Sequence, residues 1–419
     1  MKKTLVVSLD ALGAEDYDLF IKQPNISAVI ANGSFLSRVK SVNPTLTYPA
    51  HTTITSGRYP SSHGIVNNIK VQPKRNDADW YWYEREIQGD TLFRAACRSN
   101  KRVGAIFWPV CAGLKVQWNM AEIWPHRKWQ NQAMVSLLNS TPAFATRMAK
   151  KYGYILQGTM QPYLDEFAYA CAQEVLQENW DLLFVHFTDI DAHKHRYGNR
   201  APEVEESIRR TDERVGGLIR TIEEKGLLPY TNIILLSDHS QRDITHTLRM
   251  NQIFYKHGLL NAHNGSVTRY RAYVNTAVGL AHIYTDGQPS TLQFVRELLE
   301  DIQKNYPVIE RIYTKKEAVA MGSDPKCSFM VTAKPGYTFS NELEGEVYGA
   351  VDAKYKANHG YRNDLPHYEA IFCGYGPSFK SGVQVDEVVE MIDLGPTIAE
   401  AAGIFLHDPQ GAVRWDILE

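Results

Sequence analysis

Short, nearly continuous apolar runs recur along this chain and are separated by stretches with helical spacing. The runs are TLVVSL (4–9), VGAIF (103–107), DLLFVHF (181–187), NIILLS (232–237) and YEAIFCG (368–374). Strands have this composition when both of their faces are buried, as in a parallel sheet that helices cover on each side. The clearest helix is predicted over 201–227, with Gly226 as its C-terminal stop. We therefore predict an α/β protein with a central, mainly parallel sheet.

Two regions depart from this alternation. The segment 70–90 is polar and aromatic (NDADWYWYERE), and we predict a surface loop or lid there. Between 261 and 356 the runs RYRAYVN, LAHIYT and VIERIYT surround one helical stretch, STLQFVRELLEDIQKNY. We predict that 261–356 is an inserted, smaller α+β subdomain, and that 1–260 and 357–419 form the catalytic core.

Composition and charge narrow the class of protein. The 419 residues have a formal net charge of -2, which argues against a general nucleic-acid binder. The five cysteines are scattered and include no CxxC pair, as is typical of reduced thiols in a cytoplasm. The apolar run near the N-terminus is interrupted at Asp10 and is too short for a signal peptide or a membrane span. We expect a soluble, cytoplasmic protein that binds neither a membrane nor a nucleic-acid duplex.

Carboxylates and histidines follow the predicted strands or directly precede the last one. In chain order these residues are Asp10, then Asp189, Asp191, His193 and His195 in TDIDAHKHRYG, then Asp238 and His239 in DHS, and His359 in ANHGYRND. A single Asp or His is more often a turn former or an ordinary polar residue. That explanation does not account for four segments at one edge of a sheet, where α/β proteins bind ligands. Mixed oxygen and nitrogen ligands suit Zn²⁺, and Mn²⁺ or iron also accept them, so we predict two metals that promote phosphoryl transfer.

A hydroxyl-rich segment, NPTLTYPAHTTITSG (43–57), contains a candidate nucleophile. Prolines 44 and 49 bracket Thr45 and Thr47 just before a predicted helix start. Helix capping and turn formation would explain these residue types. A helix N-terminus also favours anions, so a hydroxyl held there is well placed to attack a phosphate. The surrounding ligands favour the second interpretation for Thr47.

Taken in order, Asp10, PTLTYPAH, TSGRYPSSHGIVNN, DAHKHRYG, SDH and NHGY resemble the alkaline phosphatase superfamily. Within it, the chain most resembles the nucleotide pyrophosphatase/phosphodiesterase (type I phosphodiesterase) family, over nearly its whole length. The resemblance implies an alkaline-phosphatase-like α/β/α sandwich and two Zn²⁺ per chain, with Mn²⁺ or another divalent ion as an alternative. It also implies hydrolysis of phosphodiester or pyrophosphate bonds through a phosphothreonine intermediate, with a small phosphate ester such as a nucleotide as substrate. A phosphate monoesterase, a phosphonate (phosphonoacetate-type) hydrolase and a non-catalytic ligand-binding relative are the alternatives.

The resemblance also assigns roles to individual residues. Thr47 matches the nucleophile, and Asn68 matches the residue that hydrogen-bonds a phosphoryl oxygen. Asp10, Thr47, Asp238 and His239 would surround one metal, and Asp191, His195 and His359 would hold the other. Tyr48 would contribute its backbone N–H to the substrate site, and its ring would either stack on a nucleobase or leaving group or serve as a hydrophobic anchor for the turn.

Two departures from the simplest pattern affect these assignments. The segment TDIDAHKHRYG contains two Asp-x-x-x-His pairs, and HRYG favours the pair Asp191 and His195 over Asp189 and His193. The family's usual Gly is Lys194 here, which predicts a cation that meets a substrate phosphate or points to solvent. We predict structural rather than metal-binding roles for His51 and His63.

Overall fold

A central sheet of nine strands crosses the computed structural model, which describes residues 2–75 and 77–419. From edge to edge the strands are Val383–Val385, Ser34–Lys40, Ala370–Tyr375, Thr231–Leu236, Lys3–Leu9, Leu182–Phe187, Val103–Ile106 and Trp118–Met120, and Val389–Glu390 also pairs with Ser34–Lys40. Each of the five predicted strands is present in this sheet, within two residues of its predicted bounds. The α/β class and the central sheet are therefore confirmed.

The sheet is mainly parallel, with one antiparallel strand inside it. Lys3–Leu9 pairs in parallel with both Leu182–Phe187 and Thr231–Leu236. Ala370–Tyr375 runs antiparallel to Thr231–Leu236 on one side and to Ser34–Lys40 on the other. The three central parallel strands therefore end at the same edge of the sheet.

Helices cover both faces of the sheet. Along Lys3–Leu9, Val6 packs into one hydrophobic cluster, and Leu5 and Val7 pack into the other, as the two-residue period of a strand requires. The Val6 face is covered by the helices Thr47–Ser56, Leu92–Arg98 and Leu394–Ala402. The opposite face is covered by Pro24–Asn32, Pro142–Tyr152, Tyr163–Leu176 and Pro202–Glu224. This is the predicted α/β/α sandwich.

The helix predicted over 201–227 spans Pro202–Glu224, and Gly226 follows it with a φ of 66°. That left-handed conformation suits glycine and ends the helix where the sequence predicts. The other α-helices are Tyr17–Phe20, Pro60–His63, Gln132–Asn139, Asp189–Tyr197, Met250–Lys256, Pro289–Asn305 and Lys315–Ala320. Across the described ranges, no helix is both long enough and apolar enough to cross a membrane.

The region 261–356 contains a second, antiparallel sheet. Its strands lie in the order Ala272–Thr276, Leu280–Thr285, Phe329–Ala333 and Ile309–Thr314, and the helix Pro289–Asn305 packs on it through Val295 and Leu299. The hydrophobic cluster beneath this sheet extends from Ile244 to Tyr368, so it includes residues on both sides of 261–356. The predicted boundaries of the subdomain remain a prediction. The remaining short strands are Arg242–Asp243, His246–Leu248, Leu260–His263, Ser266–Tyr270, Tyr337–Phe339, Tyr348–Ala350 and Ala357–Asn358.

The segment 70–90 is mostly loop, as predicted, and its tryptophans pack against the protein. Trp82 is buried and shares a hydrophobic cluster with Tyr48 and Ile123, against which Trp80 and Trp124 also pack. The ring of Trp80 meets the ring of Tyr48 edge to face, with centroids 5.3 Å apart. Trp80 and Trp82 thus pack beside the Thr47 helix, and the lid stays a prediction. Asn76, within the predicted loop, lies outside the described residues.

Candidate active site

Three neighbouring parallel strands deliver carboxylates to one edge of the sheet. Asp10 follows the strand Lys3–Leu9, Asp191 lies two residues into the helix that begins after Leu182–Phe187, and Asp238 follows Thr231–Leu236. The pairing brings Leu9 opposite Phe187 and Ser8 opposite Leu236, so the strands end together. Parallel strand ends at a shared edge are where open α/β sheets bind ligands.

The first ligand cluster consists of Asp10, Asp238 and His239, whose candidate ligand atoms all lie within 4.8 Å of one another. His239 Nε2 is 3.1 Å from Asp238 Oδ2 and 3.6 Å from Asp10 Oδ1. All three side chains are buried. The family resemblance implies these three residues, together with Thr47, around one metal.

The second cluster consists of Asp191, His195 and His359, also with ligand atoms within 4.8 Å of one another. His195 Nδ1 donates to the carbonyl oxygen of Ala357 at 2.9 Å, and His359 Nδ1 donates to that of Thr45 at 3.1 Å. A carbonyl oxygen only accepts, so these bonds place the ring proton on Nδ1 and leave each Nε2 lone pair free for the cluster. The His239 and His359 rings stack with centroids 4.0 Å apart, which brings the two clusters side by side.

The electrostatics of the first cluster suit a cation. Burial, together with the negative charge of Asp191, raises the pKa of Asp10 to about 7. Burial, together with the negative charge of Asp10, raises the pKa of Asp238 well above its usual range. Asp10 Oδ1 and Asp238 Oδ2 are buried and have no hydrogen-bond partner among the described residues. A divalent cation would satisfy both oxygens and relieve the repulsion between the carboxylates, so the residues present fit the predicted metal.

Thr47 is the first residue of the helix Thr47–Ser56. Its Oγ1 lies 3.3 Å from His239 Nε2, so the hydroxyl borders the first cluster. The preceding residue, Leu46, is extended, and Gly57 ends the helix with a φ of 64°. The hydroxyl therefore lies at the positive end of a helix dipole and beside candidate metal ligands, as the second interpretation of this segment predicts.

Asn68 faces the start of the same helix. The Tyr48 backbone N–H donates to Asn68 Oδ1 at 2.9 Å. The N–H needs an acceptor, so this bond orients the amide group and leaves Asn68 Nδ2 as the donor available to a ligand. The Tyr48 N–H, predicted to bind a phosphoryl oxygen, donates to Asn68 in this structure, and its role toward a substrate stays a prediction.

The Tyr48 ring is fully buried, and its hydroxyl donates to Glu122 Oε1 at 2.9 Å. Burial and the adjacent Glu122 carboxylate raise the pKa of this phenol well above its usual value. Of the two interpretations of Tyr48, the geometry favours the hydrophobic anchor over a ring that stacks on a substrate, because both the ring and its polar end already have protein neighbours.

Lys194 neither reaches the ligand clusters nor points to solvent. Its side chain is completely buried, and Nζ lies 2.5 Å from Asp16 Oδ2 and donates to the carbonyl oxygen of Ala11 at 2.9 Å. The expectation of a cation that meets the substrate or the solvent is therefore wrong. Lys194 instead joins the helix Asp189–Tyr197 to the loop that follows Asp10.

Asp189 and His193 point away from the clusters. Asp189 lies 2.9 Å from Arg210 Nε, 3.1 Å from Arg214 Nη1 and 2.9 Å from His193 Nδ1. Burial opposes the ionised form, but the hydrogen bonds from His193 and Arg210 and the charge of Arg214 lower the pKa of Asp189 to about 2. This pair therefore belongs to an ion-pair network on the helix Pro202–Glu224.

His51 and His63 are also buried, and His51 Nδ1 lies 3.5 Å from the candidate ligand atom Asp238 Oδ2. His51 Nε2 lies 2.8 Å from Ser8 Oγ, and His51 Nδ1 donates to the carbonyl oxygen of Thr47 at 2.8 Å. His63 Nε2 lies 3.0 Å from Thr53 Oγ1. Both contacts brace the Thr47 helix, which fits the structural roles predicted for these residues.

Sequence reasoning missed three side chains that support the ligands. His186 Nε2 lies 3.0 Å from Asp10 Oδ2, Glu122 Oε2 lies 3.5 Å from His186 Nδ1, and Gln241 Nε2 donates to Asp191 Oδ1 at 2.5 Å. Burial opposes protonation of His186, but its bonds to Asp10 and Glu122 outweigh that effect and raise its pKa well above the usual value. A histidine inside the apolar run DLLFVHF was the available signal for His186, whereas nothing in the sequence indicated Glu122.

The model of the type I phosphodiesterase / nucleotide pyrophosphatase family matches residues 4–362 of this chain. The chain belongs to that family. It is 25% identical over 411 residues to human ectonucleotide pyrophosphatase/phosphodiesterase family member 1, covering 93% of this chain but only 39% of that protein. It is 22% identical to human member 7 over 400 residues, 92% of this chain and 76% of that protein. Bis(5'-adenosyl)-triphosphatase ENPP4 of Bos taurus is 23% identical, over 98% of this chain and 80% of that protein.

Solved structures of family members share the fold. Murine ectonucleotide pyrophosphatase/phosphodiesterase 5, in an inactive form in complex with AMP, superposes with a TM-score of 0.68 at 20% identity, and each chain is covered completely. The human counterpart gives the same TM-score and the same identity. These similarities support the alkaline-phosphatase-like sandwich described above.

Proposed function

We propose that this protein is a metal-dependent hydrolase of phosphodiester or pyrophosphate bonds in nucleotide-type substrates. The observation that carries the proposal is the Thr47 hydroxyl, at a helix N-terminus and 3.3 Å from His239, beside two clusters of buried or half-buried ligands. The names of the relatives, and the AMP bound to one of them, support the substrate class. The family membership supports hydrolysis as the reaction.

Two divalent cations, which we assign as Zn²⁺, would occupy the clusters. Asp10, Asp238 and His239, with Thr47, would hold one, and Asp191, His195 and His359 the other. When bound, such cations supply Lewis-acid chemistry: they favour an ionised hydroxyl and neutralise charge on the phosphoryl group. His186 and Gln241 would orient the ligand carboxylates, since second-layer hydrogen bonds of this kind fix ligand geometry.

The chain's own groups would carry the bond-making steps. The Thr47 hydroxyl gives its proton to solvent and Oγ1 attacks phosphorus. Its bond to phosphorus forms as the bond to the leaving group breaks, the leaving group takes a proton from water, and a phosphothreonine results. Asn68 Nδ2 donates to a phosphoryl oxygen and so stabilises the charge that develops there. Water then hydrolyses the phosphothreonine and regenerates the Thr47 hydroxyl. The helix N-terminus favours the anionic groups at each stage.

A diester fits this site better than a monoester. A monoester carries a second phosphate charge, and Lys194 was the one cation that the sequence offered to bind it. The ammonium of Lys194 is buried against Asp16 and has no access to the phosphoryl position. Phosphonate hydrolysis on the same core is tested with phosphonoacetate, which is compared with the two esters below.

The test compares Thr47→Ala and Thr47→Ser with the natural protein, on bis-p-nitrophenyl phosphate, p-nitrophenyl phosphate and phosphonoacetate. We expect faster turnover of the diester, and a loss on the order of 10³-fold or more in Thr47→Ala with partial recovery in Thr47→Ser. Metal analysis should find two divalent ions per chain in the natural protein and bound metal in both variants, because the carboxylate and imidazole ligands remain. Near-normal turnover by Thr47→Ala would refute Thr47 as the nucleophile. Faster turnover of the monoester or of phosphonoacetate would refute the preference for a diester.

A further inference from the structure

Glu122 joins two parts of the candidate active site that come from distant segments of the chain. Its Oε1 accepts a hydrogen bond from the Tyr48 hydroxyl at 2.9 Å, and its Oε2 lies 3.5 Å from His186 Nδ1. Tyr48 directly follows the candidate nucleophile Thr47. His186 Nε2 in turn lies 3.0 Å from Oδ2 of Asp10, a candidate metal ligand. One carboxylate therefore contacts both the residue beside the nucleophile and the side chain that supports the first cluster.

The central sheet determines where Glu122 lies relative to His186. The strand Trp118–Met120 pairs in parallel with Val103–Ile106, which pairs in parallel with Leu182–Phe187. Glu122 follows the carboxyl end of the first of these strands, and His186 lies near the carboxyl end of the last. Parallel strands bring their carboxyl ends to one edge of a sheet, so the two side chains meet there.

The charge of Glu122 is not neutralised by a lysine or an arginine. Within residues 2–75 and 77–419, its carboxylate forms no ion pair with Lys or Arg, and Oε2 is buried without a hydrogen bond. A buried carboxylate oxygen in that condition costs stability. Stabilisation of the fold therefore does not account for a glutamate at this position, whereas an interaction with His186 does.

The ring of His186 faces acceptors from both of its nitrogens. Nε2 faces the Asp10 carboxylate, and Nδ1 lies 3.2 Å from the carbonyl oxygen of Phe107 as well as 3.5 Å from Glu122 Oε2. A carboxylate and a carbonyl oxygen only accept hydrogen bonds, so the ring serves as donor on both sides. The negative charge of Glu122 favours this orientation, in which His186 donates to Asp10.

We propose that Glu122 is a positioning residue that sets the separation between the Thr47 hydroxyl and the first cluster. It acts on the nucleophile through Tyr48 and on Asp10 through His186. The inference rests on the proposed function and adds a residue that touches neither the substrate nor a metal. Hydrogen bonds behind metal ligands typically contribute about 10–100-fold in metal affinity or activity.

Three substitutions separate the two contacts of Glu122. Glu122→Gln keeps an oxygen that accepts from the Tyr48 hydroxyl but removes the charge that faces His186. Glu122→Ala removes both contacts. Tyr48→Phe removes only the hydroxyl and leaves the ring in its hydrophobic cluster.

Zn²⁺ binding to the metal-free protein measures the contact with His186 without any substrate. We expect Glu122→Gln and Glu122→Ala to weaken the binding of one Zn²⁺ per chain by about 10–100-fold in calorimetric titrations. Tyr48→Phe should leave both Zn²⁺ affinities at their natural values, because the contact with His186 remains. Natural Zn²⁺ affinity in both Glu122 variants would overturn the connection from Glu122 to Asp10.

Turnover of bis-p-nitrophenyl phosphate by the Zn²⁺-saturated protein measures the contact with Tyr48. We expect Tyr48→Phe to lower kcat by about tenfold with little change in KM, because a misplaced nucleophile slows the chemical step. The same substitution should lower kcat as much in Glu122→Gln, which keeps the acceptor, and no further in Glu122→Ala, which has lost it. An equal loss in all three backgrounds would overturn the connection from Glu122 to Thr47.

Glu174 provides a matched control. Its Oε1 accepts from the Tyr152 hydroxyl at 2.7 Å, and its side chain is 19% exposed, against 18% for Glu122. It belongs to neither ligand cluster. Glu174→Gln should keep the natural kcat and both Zn²⁺ affinities, and thermal unfolding checks that every variant folds. If Glu174→Gln lowered kcat and Zn²⁺ affinity as much as Glu122→Gln, the losses would reflect general destabilisation and the proposal would fail.

Failure of this inference and failure of the proposed function give different results. A natural protein that binds Zn²⁺ but cleaves no diester would count against the proposed function, and the Zn²⁺ titrations would still test the connection from Glu122 to Asp10. A natural protein that cleaves the diester, with the same kcat and Zn²⁺ affinities in Glu122→Ala, would leave the proposed function intact and overturn the positioning role.

Discussion

The ammonium of Lys194 is completely buried inside the protein. It lies between Asp16 and the carbonyl oxygen of Ala11, the residue after the ligand Asp10. Neither contact is visible in the sequence, because Asp16 is 178 residues away along the chain. The sequence does not distinguish a lysine that is solvated or binds substrate from one that is buried and structural. Only the partner in three dimensions distinguishes them.

We predict that Lys194→Met destabilises the protein by about 3–5 kcal/mol, because it leaves the Asp16 carboxylate buried without its cation. Urea unfolding followed by circular dichroism measures this loss. The double variant Lys194→Met with Asp16→Leu removes both charges and should recover much of the stability. If Lys194→Met unfolded at the same urea concentration as the natural protein, the buried ion pair would contribute nothing to the free energy of unfolding.

Asn68 offers a test of the donor at the phosphoryl position. Asn68→Asp keeps the acceptor for the Tyr48 N–H but removes the Nδ2 donor and adds negative charge. We expect kcat to fall by about 10²–10³-fold, the loss typical of a missing oxyanion donor, with little change in stability. Steady-state kinetics and thermal unfolding of the same preparation test the two parts. A wild-type kcat in Asn68→Asp would exclude Asn68 from the reaction.

At the scale of elements, the sequence predicts the strands that are apolar throughout well and the strands with polar interruptions poorly. The run TLVVSL is apolar throughout because Val6 and its neighbours bury both faces of Lys3–Leu9. The strand Ser34–Lys40 escaped detection because its polar residues Ser37 and Arg38 interrupt the apolar run. The antiparallel direction of Ala370–Tyr375 was also not predictable, since the apolar pattern of a buried strand is the same in either direction.

The helix Asp189–Tyr197 has two carboxylates with separate tasks. Asp189 binds Arg210 and Arg214 and ties this helix to Pro202–Glu224, whereas Asp191 faces His195 and His359. We predict that Asp189→Asn lowers stability by about 1–3 kcal/mol, because it weakens charged hydrogen bonds that are buried. Asp191→Asn should instead lower the metal content and leave the metal-free protein at least as stable as the natural one.

Unfolding of the metal-stripped variants and metal analysis of the loaded variants separate these two roles. Asp189→Asn should retain a full complement of divalent ions. If it lost as much metal as Asp191→Asn, the second cluster would include Asp189, and the register favoured by HRYG would be wrong.

At the scale of the whole molecule, the ligand clusters depend on residues drawn from nearly the full length of the chain. The order of the motifs indicated which residues meet, because parallel strands bring their carboxyl ends to one edge. The contacts that support the ligand clusters were not predictable from the sequence. Glu122 and Trp80 contact Tyr48 because the segment 70–90 packs against the region near residue 120.

This convergence of carboxylates couples global stability to pH and metal. Burial and mutual repulsion raise the pKa of Asp10 to about 7 and that of Asp238 well above its usual range. A carboxyl group with a raised pKa keeps its proton in the folded state, so the stability it provides is lost as pH rises through that raised pKa. Burial opposes protonation of His186, but its bonds to Asp10 and Glu122 raise its pKa. The stability that His186 provides is therefore also lost as pH rises.

We therefore predict that the metal-free protein loses stability as pH rises above about 7.5, by up to about 1.4 kcal/mol per pH unit for each proton that Asp238 or His186 releases. Above that pH the buried histidines with lowered pKa are neutral in both states and do not oppose the trend. A divalent ion replaces those protons, so the increase in Tm on adding Zn²⁺ should be larger at pH 8 than at pH 6.5. Thermal unfolding with chelator and with Zn²⁺ measures this increase, and Asp238→Asn should reduce it. An increase of equal size at both pH values would show that the metal does not compete with protons at Asp10 and Asp238.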